Sequence, residues 1–540
     1  MIRRAVSLAT LALTAAAWGA DIQVVLPPRP GPLVRNAAAI FERQARARAA
    51  WLPRRVELVI RAGAGGEGFT IAGGPSGGVR VIAAGERGLL YGLGKLLRTP
   101  AWRGGSAPAS PVRGIYFASH FGNFYEAAPA DELRRYVEEL ALWGVNSVVF
   151  NFPQWQYASF DDPAARANLE RIRLTMRAAR RAGMRVGLLE AANQGFKTTP
   201  PELLAQPFPD DWKRRGALGV NVCPSRPAGR EYLTALWRRL LDEFKDPGLD
   251  YVAWWPYDEG GCGCKDCWPW GARGYPALCR DVAALARARY PAAKFILSTW
   301  MYDSPPAGEW EGLARLLAAD KTWADYIMAD AHEAFPRYPL DRGVPGGLPL
   351  VNFPEISMWR MWPWGGYGAN PLPAHSQELW NQVAGRLAGG FPYSEGIYED
   401  INKAIYAQFY WDPRRQANDT VKEYIAYEYS PEVVDDVAEA IRLLEANHRR
   451  GPSSLARDLS SPSAAQAFEL LKKAEGKLST EARAAWRWRI LYLRAQIDAE
   501  LHNNGGRLRG PVLKQAFDEL VRIYHAEHVH TNKVAPPPLE

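Results

Sequence analysis

Tyr251-Val-Ala-Trp-Trp-Pro-Tyr-Asp-Glu-Gly-Gly-Cys-Gly-Cys-Lys-Asp-Cys267 is the stretch whose reading decides the fold. Residues 251–255 are apolar and aromatic, the composition of a buried strand. The strand delivers two adjacent carboxylates, Asp258 and Glu259, and then breaks into glycines and three cysteines. A buried strand that carries acids to its C-terminal end and stops in a tight loop is how a parallel α/β barrel presents reactive groups.

Working outward, strands alternate with helices from residue 112 onward. Strands are predicted at 114–119, 147–152, 185–191, 251–255, 294–300, 326–331, 349–354 and 390–395. Helical patterns fill most gaps, at 130–143, 164–182, 230–243, 275–290, 309–320 and 376–387. Eight strand–helix units over about 300 residues predict a (β/α)8 TIM barrel within the α/β class. No Gly-x-Gly-x-x-Gly follows an early strand, so dinucleotide binding has no support.

The flanks read differently. Residues 1–20 carry Arg3 and Arg4 and then an Ala/Leu-rich run, the pattern of a secretory signal peptide. A secreted or periplasmic location is therefore expected. Residues 21–110 read as a small α/β domain, with strands at 22–26, 56–60, 68–71 and 79–82, helices at 36–50 and 87–97, and a linker over 99–111. The barrel is assigned to 111–415. Residues 416–530 are amphipathic at helical spacing and predict a helical domain, with helices at 419–429, 432–449, 463–477, 480–503 and 510–527. Residues 531–540, rich in proline, read as a disordered tail.

The 540 residues are 47% hydrophobic and 23% charged, ordinary values for a folded protein, with a net charge of +8. No run of five Lys/Arg occurs, so a nucleic-acid partner is not expected. Beyond the leader, no apolar run is long enough to span a membrane. Oligomeric state is not legible. The five cysteines are Cys223, Cys262, Cys264, Cys267 and Cys279. In an exported chain, disulfides pinning the 262–279 loop are the expectation, and a shared metal the alternative. No cofactor or catalytic metal is expected.

Function should lie just past the strand ends. His120 and Asn123 follow strand one; Asn151 and Trp155 two; Glu190, Asn193 and Gln194 three; Asp258 and Glu259 four. Trp300 and Asp303 follow five; Asp330, His332 and Glu333 six; Glu355 and Trp359 seven; Tyr393, Glu395, Glu399 and Asp400 lie at eight. There are 21 tryptophans, many at these ends, and flat rings suit sugar faces. Paired carboxylates among aromatic rings are what glycoside hydrolysis needs: one protonates the leaving oxygen and the other attacks or positions a nucleophile. A carbohydrate substrate is expected, with His120, Asn123, Asn151, Trp155, Asn193, Trp300, Glu355, Trp359, Tyr393 and Asp400 as binding candidates and Trp362 as part of the same wall.

Three passages resemble glycoside hydrolase families. Residues 81–97, Val-Ile-Ala-Ala-Gly-Glu-Arg-Gly-Leu-Leu-Tyr-Gly-Leu-Gly-Lys-Leu-Leu, resemble the closing strand and helix of the small domain in families 20, 67, 84 and 89. Asp258-Glu259 is similar to the acid motif of family 20 β-hexosaminidases, where the Asp holds the substrate's acetamido group and the Glu is the acid. Cys223-Pro-Ser and the 258–267 loop resemble family 163. The segment 393–413, Tyr-Ser-Glu-Gly-Ile-Tyr-Glu-Asp and onward to Trp-Asp-Pro, resembles family 89 α-N-acetylglucosaminidases. That resemblance implies Glu395 as nucleophile and Glu259 as acid/base in a retaining, exo-acting enzyme on N-acetylhexosamines. Glu355 is the rival second carboxylate, because strand seven supplies the nucleophile in many barrel glycosidases. Asp258 stands where family 89 has Asn, which leaves both the direct and the acetamido-assisted routes open. Family 67 shares the architecture, so a uronidase is the enzymatic alternative. A carbohydrate-binding barrel without catalysis is the other.

Overall fold

The structure is a computed structural model and describes residues 22–46, 51–61, 66–120, 122–210, 219–258, 260–332, 334–356, 368–447, 462–528 and 539–540. The leader, Glu259, Glu333, Trp359, Trp362 and most of the C-terminal tail lie outside the described residues.

The small domain is a five-stranded sheet of β1 (Gln23–Val25), β2 (Arg55–Ile60), β3 (Phe69–Gly73), β4 (Val79–Ala83) and β5 (Gly104–Ser106), in the order β1-β2-β4-β3-β5. β3 runs antiparallel to β4 and β5. Helices Pro32–Arg46 and Glu86–Arg98 belong to this domain. β5 falls inside the stretch that reads as linker; a Gly-Gly-Ser edge strand has no side-chain alternation to announce it.

Eight parallel strands then close into a barrel. They are β6 (Val112–Phe117), β7 (Ser147–Phe150), β8 (Arg185–Ala191), β9 (Tyr251–Trp255), β10 (Lys294–Ser298), β11 (Tyr326–Asp330), β12 (Leu350–Phe353), and an eighth strand in two pieces, β13 (Gly389–Gly390) and β14 (Tyr393–Ser394). Both pieces pair with β6, which closes the ring. The split falls at Pro392, which has no N–H to give the ladder, although its carbonyl still accepts from Tyr116. Closure also needs Gly389: its φ is +126° and a Cβ there would lie 1.6 Å from the Val112 carbonyl oxygen.

Side chains alternate across each strand. Tyr251, Ala253 and Trp255 point into the barrel with Tyr116, Phe353, Phe391 and Tyr393, forming a packed aromatic interior. Val252 and Trp254 point outward into the larger core beneath the helices. The interior is therefore filled, and the reactive surface is restricted to the loops at the strand ends.

The C-terminal region is helical, at Ala417–Glu428, Val434–Ala446, Ser463–Glu475, Thr480–Ala484, Trp486–Asn503 and Pro511–Tyr524. The single helix expected over 480–503 breaks at Ala485, whose ψ is 135°. A helix also forms at Asp400–Trp411, where sequence periodicity predicts none, with every residue buried. A helix buried on all sides has no polar face, so the amphipathic signal is missing. Among the described residues, no helix is long and apolar enough to cross a membrane. The expected disulfides are not formed, since all five cysteines are free thiols and all are buried.

Candidate active site

Two buried carboxylates flank Tyr393 at the C-terminal end of the barrel. Glu395 follows β14 and is fully buried. Its Oε1 accepts a 2.6 Å hydrogen bond from the Tyr393 hydroxyl, and Tyr398 reaches Oε2 at 3.5 Å. Glu355 follows β12, is 5% exposed, and forms a parallel bridge with Tyr393. Tyr393 thus lies between the two. Burial first, and then the charges of Glu395 and Glu355, push its phenol well above the ordinary range, so it remains a donor.

The turn carrying Glu395 is fixed from behind. Tyr125 bonds the Ser394 hydroxyl and donates to the Gly396 carbonyl at 2.9 Å. Glu399 accepts from the Ser394 hydroxyl and, at 3.1 Å, from the Gly396 N–H. Buried Lys403 pairs with Glu399 at 3.3 Å and donates to Tyr136 at 2.6 Å. Such support holds a reactive side chain in one geometry.

His332 stands among the carboxylates of the site. It forms a salt bridge with Asp330, and its Nε2 lies 3.9 Å from Glu355. Burial works against its charged form, but Asp330, Glu355 and Asp258 outweigh it and raise its pKa. The Trp300 ring packs edge-on against it with centroids 4.2 Å apart. Trp300, Phe353, Tyr393, Tyr116 and Trp255 form a chain of ring contacts across the floor. The indole N–H groups of Trp155, Trp255 and Trp300 and the Asn151 side-chain oxygen have no hydrogen-bond partner among the described residues. Asp258 is half-buried and takes the left-handed conformation, with φ +70°, a strained choice for a non-glycine residue that aims the chain after β9.

The structure separates these from several other sequence candidates. Asn193 uses its amide to donate to the Val222 and Gly261 carbonyls and to accept from the Gly261 N–H, each at 2.9 Å, so it clamps two loops together. Asn123 caps the Phe124–Ala127 helix in a capping box with Glu126 and donates to Ala118. Asp400 faces away from the cleft chemistry: Arg487 and Tyr424 each bond it at 2.7 Å. These three side chains have structural duties that compositional reasoning does not reveal. His120 lies 3.4 Å from the Tyr116 hydroxyl, and Asn151 donates to Glu190 at 2.6 Å. His332, Asp330, Glu399 and Tyr398 join the site beyond the sequence-based binding candidates; the first three are legible as strand-end residues, whereas Tyr398 depends on how the Glu395 turn folds.

Surface concavities elsewhere are of a different kind. One, lined by Tyr91, Lys95, Trp102, Trp143 and Arg415, lies between the small domain and the barrel flank. Another, with Glu67, Arg87, Arg113 and Arg185, sits where β6 and β8 begin, at the end of the barrel opposite the carboxylates.

By sequence, no family model and no curated protein matches the chain. By structure, the neighbours are glycoside hydrolases of families 89, 115, 138 and 20. A family 115 4-O-methyl-α-glucuronidase with specificity for decorated arabinogalactans superposes with a TM-score of 0.60 at 11% identity, covering 93% of this chain and 76% of that one. A family 138 enzyme targeting pectin rhamnogalacturonan II gives 0.56 at 10%, covering 95% and 93%. A family 89 enzyme from Clostridium perfringens, with two glutamates replaced by glutamine and its substrate GlcNAc-α-1,4-galactose bound, gives 0.60 at 13%. The match covers 91% of this chain and 64% of that one. At such identities the likeness is one of fold: a barrel with a preceding small domain and following helices.

Proposed function

We infer that this chain is a retaining glycoside hydrolase, exo-acting on glycans that carry N-acetylhexosamine. The observation that carries the reading is buried Glu395 held by the Tyr393 hydroxyl beside Glu355, on an aromatic floor at the strand ends. Glu395 attacks the anomeric carbon while Glu259 protonates the departing oxygen. The same Glu259 then takes a proton from the water that releases the sugar, and the configuration is kept. Asp258, the neighbour of the acid, is poised to orient an acetamido group or to tune Glu259 by its charge. Glu355, beside His332, acts in holding substrate hydroxyls.

Among the described residues, the charge around His332 and Tyr393 favours a neutral sugar over a uronate. Asp258, Asp330 and Glu355 gather around His332, and Glu395 lies beside Tyr393. Repulsion from several carboxylates works against an anionic sugar ring. A family 115 neighbour acts on a glucuronide, so uronides belong in the test.

The test is a panel of p-nitrophenyl glycosides of both anomers, including N-acetylglucosaminides, N-acetylgalactosaminides and glucuronides, with the product anomer followed by NMR. Turnover of an N-acetylhexosaminide with retention is expected, and Glu395→Gln should abolish it. Release of a uronic acid would replace the substrate reading. Inversion of configuration would remove Glu395 as nucleophile. Wild-type turnover by Glu395→Gln would overturn the site.

A further inference from the structure

Four of the five cysteines converge. Cys223 comes from the loop after β8, and Cys262, Cys264 and Cys267 from the loop after β9. Their four sulfur atoms all lie within 4.8 Å of one another, and all four residues are buried. The sulfurs of Cys223 and Cys264 are 3.7 Å apart. A disulfide needs about 2.0 Å. Tetrahedral zinc with sulfur at about 2.3 Å sets its ligand sulfurs about 3.8 Å from each other. The spacing is that of four ligands around a shared centre.

The surroundings fit thiolates. The Ser225 hydroxyl lies 3.1 Å from the Cys223 sulfur and 3.3 Å from that of Cys264. Donors of this kind orient metal-bound sulfur. The Cys264–Cys267 segment turns tightly, with the N–H groups of Cys267 and Trp268 both donating to the Cys264 carbonyl. Gly263 permits the close approach, since a Cβ there would lie 1.9 Å from the Pro207 carbonyl oxygen. Cys279 lies on the Gly274–Arg289 helix outside the group, which accounts for the odd cysteine.

We propose that Cys223, Cys262, Cys264 and Cys267 bind one structural zinc ion in a closed tetrahedral site that staples the loops after β8 and β9. Binding releases the four thiol protons to solvent, and no redox partner is needed. All four positions are filled by protein, so the ion has no open site for chemistry. Its effect is mechanical. The stapled loop starts four residues after Asp258, and Asn193 clamps the same two loops through Val222 and Gly261. Together they fix the chain that leaves β9.

The experiment uses the full chain, purified without a histidine tag or added metal. Elemental analysis should find about one zinc per chain. Denaturation without reductant, in the presence of a chelator, should expose all five thiols to a thiol reagent. Cys262→Ser and Cys267→Ser should lose the zinc and Cys279→Ser should keep it. If the serine variants do not fold, titrating the wild-type protein with an organomercurial in the presence of a zinc-sensitive dye gives the same reading: zinc should be released as the cluster thiols react. A single titratable thiol with no bound metal would mean two disulfides and would overturn the proposal. One iron per chain would overturn the choice of zinc. Neither result bears on glycoside turnover, so this site and the proposed activity fail independently.

Discussion

Asp400→Asn distinguishes a substrate ligand from a structural ion pair five residues beyond Glu395. Asp400 and Arg487 are 5% and 8% exposed, and their 2.7 Å contact joins the Glu395 turn to the Trp486–Asn503 helix. Removing one partner of a buried pair costs about 3–5 kcal/mol. Arg487 keeps Glu139 at 2.8 Å and Glu428 at 3.8 Å, which places the loss near the lower end, about 3 kcal/mol. At about 1.4 kcal/mol per tenfold, amide exchange in the Asp400–Trp411 and Trp486–Asn503 helices should accelerate by about 10²-fold at neutral pH. Burial raises the Asp400 pKa, but Arg487 and Lys403 outweigh it and hold the group below its ordinary value. Its contribution is therefore complete above the unfolded carboxylate range and is lost as pH falls through the lowered value. The gap between wild type and variant should be full at neutral pH and close in acid. Hydrogen exchange read by mass spectrometry, with KM measured in parallel, is the assay. Unchanged protection together with a raised KM would refute the structural assignment and return Asp400 to the substrate.

Three further outcomes follow from the site. Glu395→Gln should reduce kcat by on the order of 10³-fold or more while sugar binding by calorimetry is retained. Tyr393→Phe removes a hydrogen bond to a buried carboxylate, of about 1.5–3 kcal/mol, and should lower kcat/KM by about 10- to 100-fold with the fold intact by circular dichroism. His332→Gln tests the raised imidazole. A raised folded pKa stabilises fully below the unfolded value of about 6.5 and loses that contribution as pH rises through the folded value. Denaturation midpoints of wild type and His332→Gln should therefore differ most in mild acid and converge in alkali; a gap that widens with pH would refute the Asp330–His332–Glu355 arrangement.

The barrel was legible because its strands carry their own signal. Tyr251–Trp255 is continuous apolar sequence, and regular spacing of such runs implies parallel strands with helical crossovers. Signals failed where burial erased periodicity, as in the wholly buried Asp400–Trp411 helix, and where glycine carried no pattern, as in Gly104–Ser106. Side-chain duty was less legible still. Asn123, Asn193 and Asp400 stand at strand ends with the residue types of a sugar site, yet their partners are a helix cap, a loop clamp and an arginine 87 positions away.

The opening stretch, 251–267, shows where the division lies. Local composition alone determined a buried strand ending in Asp258-Glu259 and a cysteine-rich turn, because hydrophobic patterning and turn chemistry are properties of neighbours in the chain. Only the tertiary structure decided what those cysteines do, because the fourth sulfur arrives from Cys223, 39 residues before Cys262, and no sequence spacing encodes that approach. The same holds for the Glu355 side of the carboxylate site: pairing of the eighth strand with β12 sets Glu355 against Tyr393 and joins two strand ends into one site.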